Sequence, residues 1–134
     1  MGRSIAYAGS SFTIAFATCA DGSQPALEFY KNELDDVGRA KMLTLFRYLG
    51  DQGRIANHEK FKKVGNDLWE FKSHQIRMLC AFSEDRTVVL ANGFIKKGDK
   101  IPPRHLVRAT RILQEDANRC AKEKHQTRQT KWQN

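Results

Sequence analysis

Several things are scarce in this sequence. Three cysteines occur in 134 residues, Cys19, Cys80 and Cys120, far apart and without a C-x-x-C spacing. That leaves no basis for a disulfide framework or a zinc site, and it fits a reducing, cytoplasmic setting. No apolar run approaches the roughly 20 residues of a membrane span, so no membrane association is expected. The apolar stretch from Phe12 to Ala17 is too short for a secretory signal, and Ala6 stands where a myristoylation signal wants Ser or Thr. There is no glycine-rich phosphate loop, no H-E-x-x-H and no nucleophile elbow. The histidines, His58, His74, His105 and His125, lack metal-ligand spacing, and no pair of carboxylates falls on one element. Neither a metal nor a cofactor is expected. Acidic residues are the last shortage. Fifteen Asp and Glu stand against 23 Lys and Arg, a net charge of +8. In so small a chain this excess points to a polyanionic partner, either nucleic acid or an acidic protein.

The stretch from Leu68 to Lys97 is rich in β-branched and aromatic residues and is broken by Ser73-His74-Gln75 and by Ser83-Glu84-Asp85-Arg86. It reads as three antiparallel strands. Placing Lys72 opposite Arg77 puts Trp69, Phe71, Met78 and Cys80 on one face. Placing Phe82 opposite Thr87 adds Val89 and Ala91 to that apolar face and sets Asn92 opposite Arg77. A polar row, Lys72–Arg77–Asn92, then crosses three strands on the face away from the core, and Lys96 leaves the sheet on the same side. Such a row either binds phosphates or is a solvated face with scattered cations.

Around this centre the chain reads as one domain, α+β in class. Residues 1–10 are small and polar and are expected to form a flexible arm. Phe12 to Cys19 alternates as a strand. Ser23 and Pro25 suit the start of a helix with the stripe Ala26, Leu27, Tyr30 and Leu34. Asp35-Asp36 starts a second helix, with Met42, Leu45, Phe46 and Leu49 as its apolar stripe and Gly50 or Gly53 as its stop. The two form an αα-hairpin packed on Trp69, Phe71 and Met78. Residues 54–67 read as a polar connector. Pro103 opens a last helix with the stripe Leu106, Ala109, Leu113, Ala117 and Cys120, and a disordered tail is expected from about residue 123.

The candidate chemistry is therefore cationic: Lys72, His74, Arg77, Lys96, Lys97, Lys100, Arg104 and His105. One reaction suits such a set. The 2′-hydroxyl of RNA attacks the neighbouring phosphate, and the protein supplies a base, cations around the phosphorane and a proton donor. Arginine suits the phosphate, and histidine or a perturbed lysine suits proton transfer.

Leu68-Trp69-Glu70-Phe71-Lys72, Ile76-Arg77-Met78, Val88-Val89-Leu90, Gly93-Phe94-Ile95-Lys96-Lys97 and Lys100-Ile101-Pro102 carry a resemblance. Over roughly Leu27 to Leu113 the chain resembles the RelE/ParE toxin superfamily, specifically its HigB-like, phage-Gp49-like branch. The resemblance implies a RelE-like fold: an N-terminal strand, an αα-hairpin, a three-stranded antiparallel meander and a C-terminal helix. It implies the toxin of a type II toxin–antitoxin module, cutting mRNA on the ribosome without metal. A cognate helix-turn-helix antitoxin would silence it in a hetero-oligomer, either on the basic face and the last helix, neutralising Arg77 and Lys96, or by wrapping the helices elsewhere. By position Arg77 resembles the family's phosphate-binding arginine, Lys96 or Lys97 its second cation and Lys72 a strand lysine. No tyrosine follows Tyr48, so His105, His74 or Lys100 would replace the C-terminal acid or base of some relatives. Catalytic roles thus fall to Arg77, Lys72, Lys96 and His105, and RNA contacts to Lys97, Lys100, His74, Asn92 and Arg104. The ParE branch, which inhibits gyrase on the same scaffold, and an inactive RNA- or antitoxin-binding relative are the alternatives.

Overall fold

The computed structural model describes the backbone of residues 2–133 and the side chains of residues 2–124. Its elements are β1 (Ser4–Ala8), β2 (Thr13–Phe16), α1 (Pro25–Glu28) running into a π-helical turn (Phe29–Glu33), α2 (Asp36–Gln52), β3 (Phe61–Gly65), β4 (Leu68–Ser73), β5 (Ile76–Ser83), β6 (Thr87–Ile95) and α3 (Pro103–Gln133). The class is α+β. The six strands form one mixed sheet in the order β1-β2-β6-β5-β4-β3. β2 runs parallel to β6, and the other neighbours are antiparallel.

Two strands lie outside the expected set. Residues 4–8, assigned to a flexible arm, form β1, because the Arg3 guanidinium is anchored on the far side of the molecule. Its Nε and Nη2 donate to the buried carboxylate of Asp116 on α3 at 3.0 and 2.7 Å. The connector 54–67 contains β3, whose Phe61 stacks on Trp69 at 5.1 Å and turns inward. Of the tail expected from about residue 123, the side chains beyond Lys124 lie outside the described residues.

Local chemistry explains the helices. Pro25 opens α1 in its first turn, but Ser23 does not cap it; its hydroxyl donates to Asp21 instead. Asp35 caps α2 by accepting from the Gly38 N–H at 2.7 Å, and Gly53 ends it in the left-handed region, at φ 77°. Met42, Leu45, Phe46 and Leu49 are all buried, as their spacing predicts. On α3 the expected Ala109 is buried and Leu106 and Leu113 pack half-buried against the same core, whereas Ala117 is exposed. Ile112 and Asp116 are buried beside them, and Asp116 meets Arg3.

The sheet carries a core on each face. Under α1 and α2 lie Ile14, Phe16, Phe71, Met78, Cys80, Val88 and Leu90. On the other face Leu79, Val89, Ala91 and Phe94 pack with Ala109 and Ile112 of α3. Two expectations fail here. Ser83, not Phe82, pairs with Thr87, which moves Val89 and Ala91 to the α3 face and puts Val88 and Leu90 in their place. A bulge between Leu79 and Cys80 then sets Asn92 opposite Leu79 and Phe94 opposite Arg77. The Arg77 face is accordingly not an open, solvated surface, since α3 covers most of it.

Candidate cationic site on the sheet

β4 turns into β5 through His74, held at φ 54°, and the pairing of Lys72 with Arg77 is as expected. Strand alternation puts Glu70, two residues before Lys72, on the same face. Glu70 is the residue that the sequence reading overlooked, and the cations gather around it. It is 1% exposed. Its Oε1 lies 3.5 Å from Arg77 Nε, and Lys62, opposite it on β3, joins Lys72 and Lys96 in acting on the carboxylate. Burial nevertheless prevails over these four positive charges and raises the Glu70 pKa above the usual carboxylate value.

The same spot concentrates unmatched polar atoms. Glu70 Oε2, Arg77 Nε and Asn92 Oδ1 are all buried without a hydrogen-bond partner, on three adjacent strands. Asn92 spends its amide on the His105 carbonyl at 3.3 Å. Arg77 is only 6% exposed, and its Nη1 donates to the carbonyls of His74 at 2.6 Å and Ile76 at 2.9 Å. It is thus a cation set into the sheet, tied to Glu70 and to the turn. Lys72 and Lys96 are half-buried.

His105 stands in the first turn of α3 with its ring stacked on Phe94, centroids 3.9 Å apart and planes within 1°. Phe94 is the strand partner of Arg77, so the row Lys72–Arg77–Phe94 ends under this imidazole. Burial, then the neighbouring Arg104 and Arg108, push the His105 pKa down. At neutral pH the ring is a proton acceptor.

Lys72, Arg77, Asn92, Lys96 and His105 therefore share one region. Lys97, Lys100 and Arg104 are exposed on the loop between β6 and α3 and on the first turn of α3. His74 departs from the group. Its side chain turns to the α2 face, where Nε2 lies 2.6 Å from Lys41 Nζ. Lys62 was hidden in the supposed connector, whereas Glu70 had a visible signal, an acid two residues from Lys72 in an alternating strand. Among the described residues no group of His, Cys, Asp or Glu could hold a metal ion, and no helix is long and apolar enough to cross a membrane.

A mixed sheet between helices, with cations collected on one face of its meander, defines a small basic α+β protein. The family model described as phage derived protein Gp49-like (DUF891) matches residues 30–114, more than half of the chain and the whole of α2 and β3 to β6. The chain belongs to this Gp49-like family, which is of the RelE/HigB-like toxin type. No curated protein matches it. The family is compatible with a toxin of a toxin–antitoxin pair, for which an antitoxin is a plausible partner.

Proposed function

We propose that the chain is a toxin that cleaves messenger RNA on the translating ribosome and is held silent by a helix-turn-helix antitoxin. The observation that carries this reading is the convergence of Lys62, Lys72, Arg77 and Lys96 on the buried Glu70, with a neutral imidazole at the end of the same row. Lys72 and Lys96, the half-exposed members, meet the phosphate. Arg77, already bound to two carbonyls and to Glu70, fixes the turn and supplies positive potential from beneath. His105 takes the proton of the 2′-hydroxyl. The 2′-oxygen bonds to phosphorus, the bond from phosphorus to the 5′-oxygen breaks, and Lys96 protonates the leaving oxygen. The products are a 2′,3′-cyclic phosphate and a 5′-hydroxyl, and no external reactant is consumed.

The test is induced expression in a bacterium of the wild type and of Lys72→Ala/Lys96→Ala, with mRNA ends mapped. The wild type is expected to arrest growth and produce cut transcripts with 5′-hydroxyl ends. The double variant should lower cleavage by about 10²-fold or more, as loss of charge stabilisation at a phosphorane does. Growth arrest by both forms with intact mRNA overturns the nuclease reading. DNA breaks in place of translation arrest would support gyrase inhibition instead.

A further inference from the structure

On the side of the sheet away from Glu70 lies a groove of about 610 Å³ between α2, the segment leading to β3 and the β4–β5 turn. Its floor is apolar. Leu45 and Ile55 are buried beneath it, and Tyr48, 55% exposed, forms a wall. Its rim carries two lysines, Lys41 and Lys60, together with His74. Lys41 Nζ lies 2.6 Å from His74 Nε2, and the ammonium has further N–H donors for a ligand. The groove continues along the outer side of α2 past Thr44 and Ala40 to Val37, which is 62% exposed. Positions 37, 41, 44 and 48 have the spacing of one helix face. The one acid lining this extension is Asp36, and Arg39 Nη2 already holds its carboxylate at 2.5 Å.

We propose that this groove docks an acidic peptide segment of a partner protein. One or two apolar side chains of that segment enter between Leu45, Tyr48 and Ile55, and its carboxylates meet Lys41 and Lys60. The charge is complementary, since Lys41 and Lys60 stand over an aliphatic floor. Nucleic acid fits less well, because the floor offers one aromatic ring for base stacking and the denser group of cations lies on the opposite face. This site lies apart from the basic face and the last helix, and it does not depend on RNA cleavage by the other face.

The test uses the full chain and a fluorescent peptide of about twelve residues that alternates Glu with Leu and Phe. Anisotropy should show binding that weakens at least about tenfold in Lys41→Glu/Lys60→Glu, the scale of losing close charge pairs. Tyr48→Ala should also weaken it, whereas Lys72→Glu/Lys96→Glu on the opposite face should not. Peptide-induced NMR shifts of the wild type should fall at Thr44, Tyr48, Ile55 and His74, a readout that needs no variant to fold. Shifts at Arg77, Asn92 and Phe94, equal binding by the groove variants, or no binding by the wild type overturns the proposal. So does an RNA oligonucleotide that binds the wild type, displaces the peptide and is lost on reversal of Lys41 and Lys60.

Discussion

Replacing Arg77 by methionine keeps the volume of the side chain and removes the charge that faces Glu70. The Glu70 carboxylate is then buried with no cation within ion-pair distance, and it responds by taking up a proton. The cost of that proton at pH 7 sets a ceiling. The ordinary carboxyl value is 4.5, and the 2.5 pH units up to 7, at about 1.36 kcal/mol each, give about 3.4 kcal/mol. At pH 5 the same reasoning leaves about 0.7 kcal/mol. The sign follows from the direction of the shift. Glu70 is already raised in the folded protein, and Arg77→Met raises it further, so between about 4.5 and the raised value the folded state binds the proton and the unfolded state does not. The stability of Arg77→Met is therefore preserved at low pH and lost as pH rises through the raised value. Urea denaturation at pH 5, 6 and 7 measures it, with Glu70→Gln/Arg77→Met as the reference that should show no such pH dependence. An equal destabilisation of Arg77→Met at pH 5 and pH 7, or the same slope in the double variant, would refute the burial of Glu70 as its cause.

Two further outcomes concern packing. Asp116 is 2% exposed and accepts from Arg3 and from the Thr18 N–H at 3.0 Å. Asp116→Ala is expected to destabilise by about 3 kcal/mol or more, and hydrogen exchange should rise first at β1; unchanged protection there would mean that Arg3 does not hold the strand. At Gly93 an added Cβ would stand 2.2 Å from Phe29 Cδ2. Gly93→Ala should cost about 1–3 kcal/mol, as overpacking does, and Phe29→Leu should recover part of it; a thermal melt in which the two losses simply add would disprove the clash.

How far the sequence could be read is clearest in the meander. The Lys72–Arg77 pairing was legible because a two-residue turn leaves little choice of register. The second hairpin was misread by one residue, because its three-residue loop bends through Asp85 and Arg86 at φ 58° and 53°, which neither side chain advertises. The bulge at Leu79/Cys80 was equally silent. The two shifts cancel in parity for Asn92, which reached its expected face by compensation, but not for Val89 and Ala91. Both α2 ends were legible, since Asp35 and Gly53 do what those residue types do best. The burial of Arg77 was not, because nothing in a strand pattern says that a helix 30 residues later will cover it. Lys62 and His74 show the same limit from opposite sides: one cation arrives from a segment that looked unstructured, and the other turns away at a left-handed φ.

The parallel seam between β2 and β6 joins Thr13–Phe16 to Thr87–Leu90 across most of the chain. β6 is also the strand on which β5 pairs, so the two halves of the sheet meet only there. During synthesis the first two strands emerge long before the strand that must receive them. Until Thr87–Leu90 has been made, β1–β2 and β3–β5 are two pieces with no strand between them, and the sheet that carries the charged side chains is incomplete.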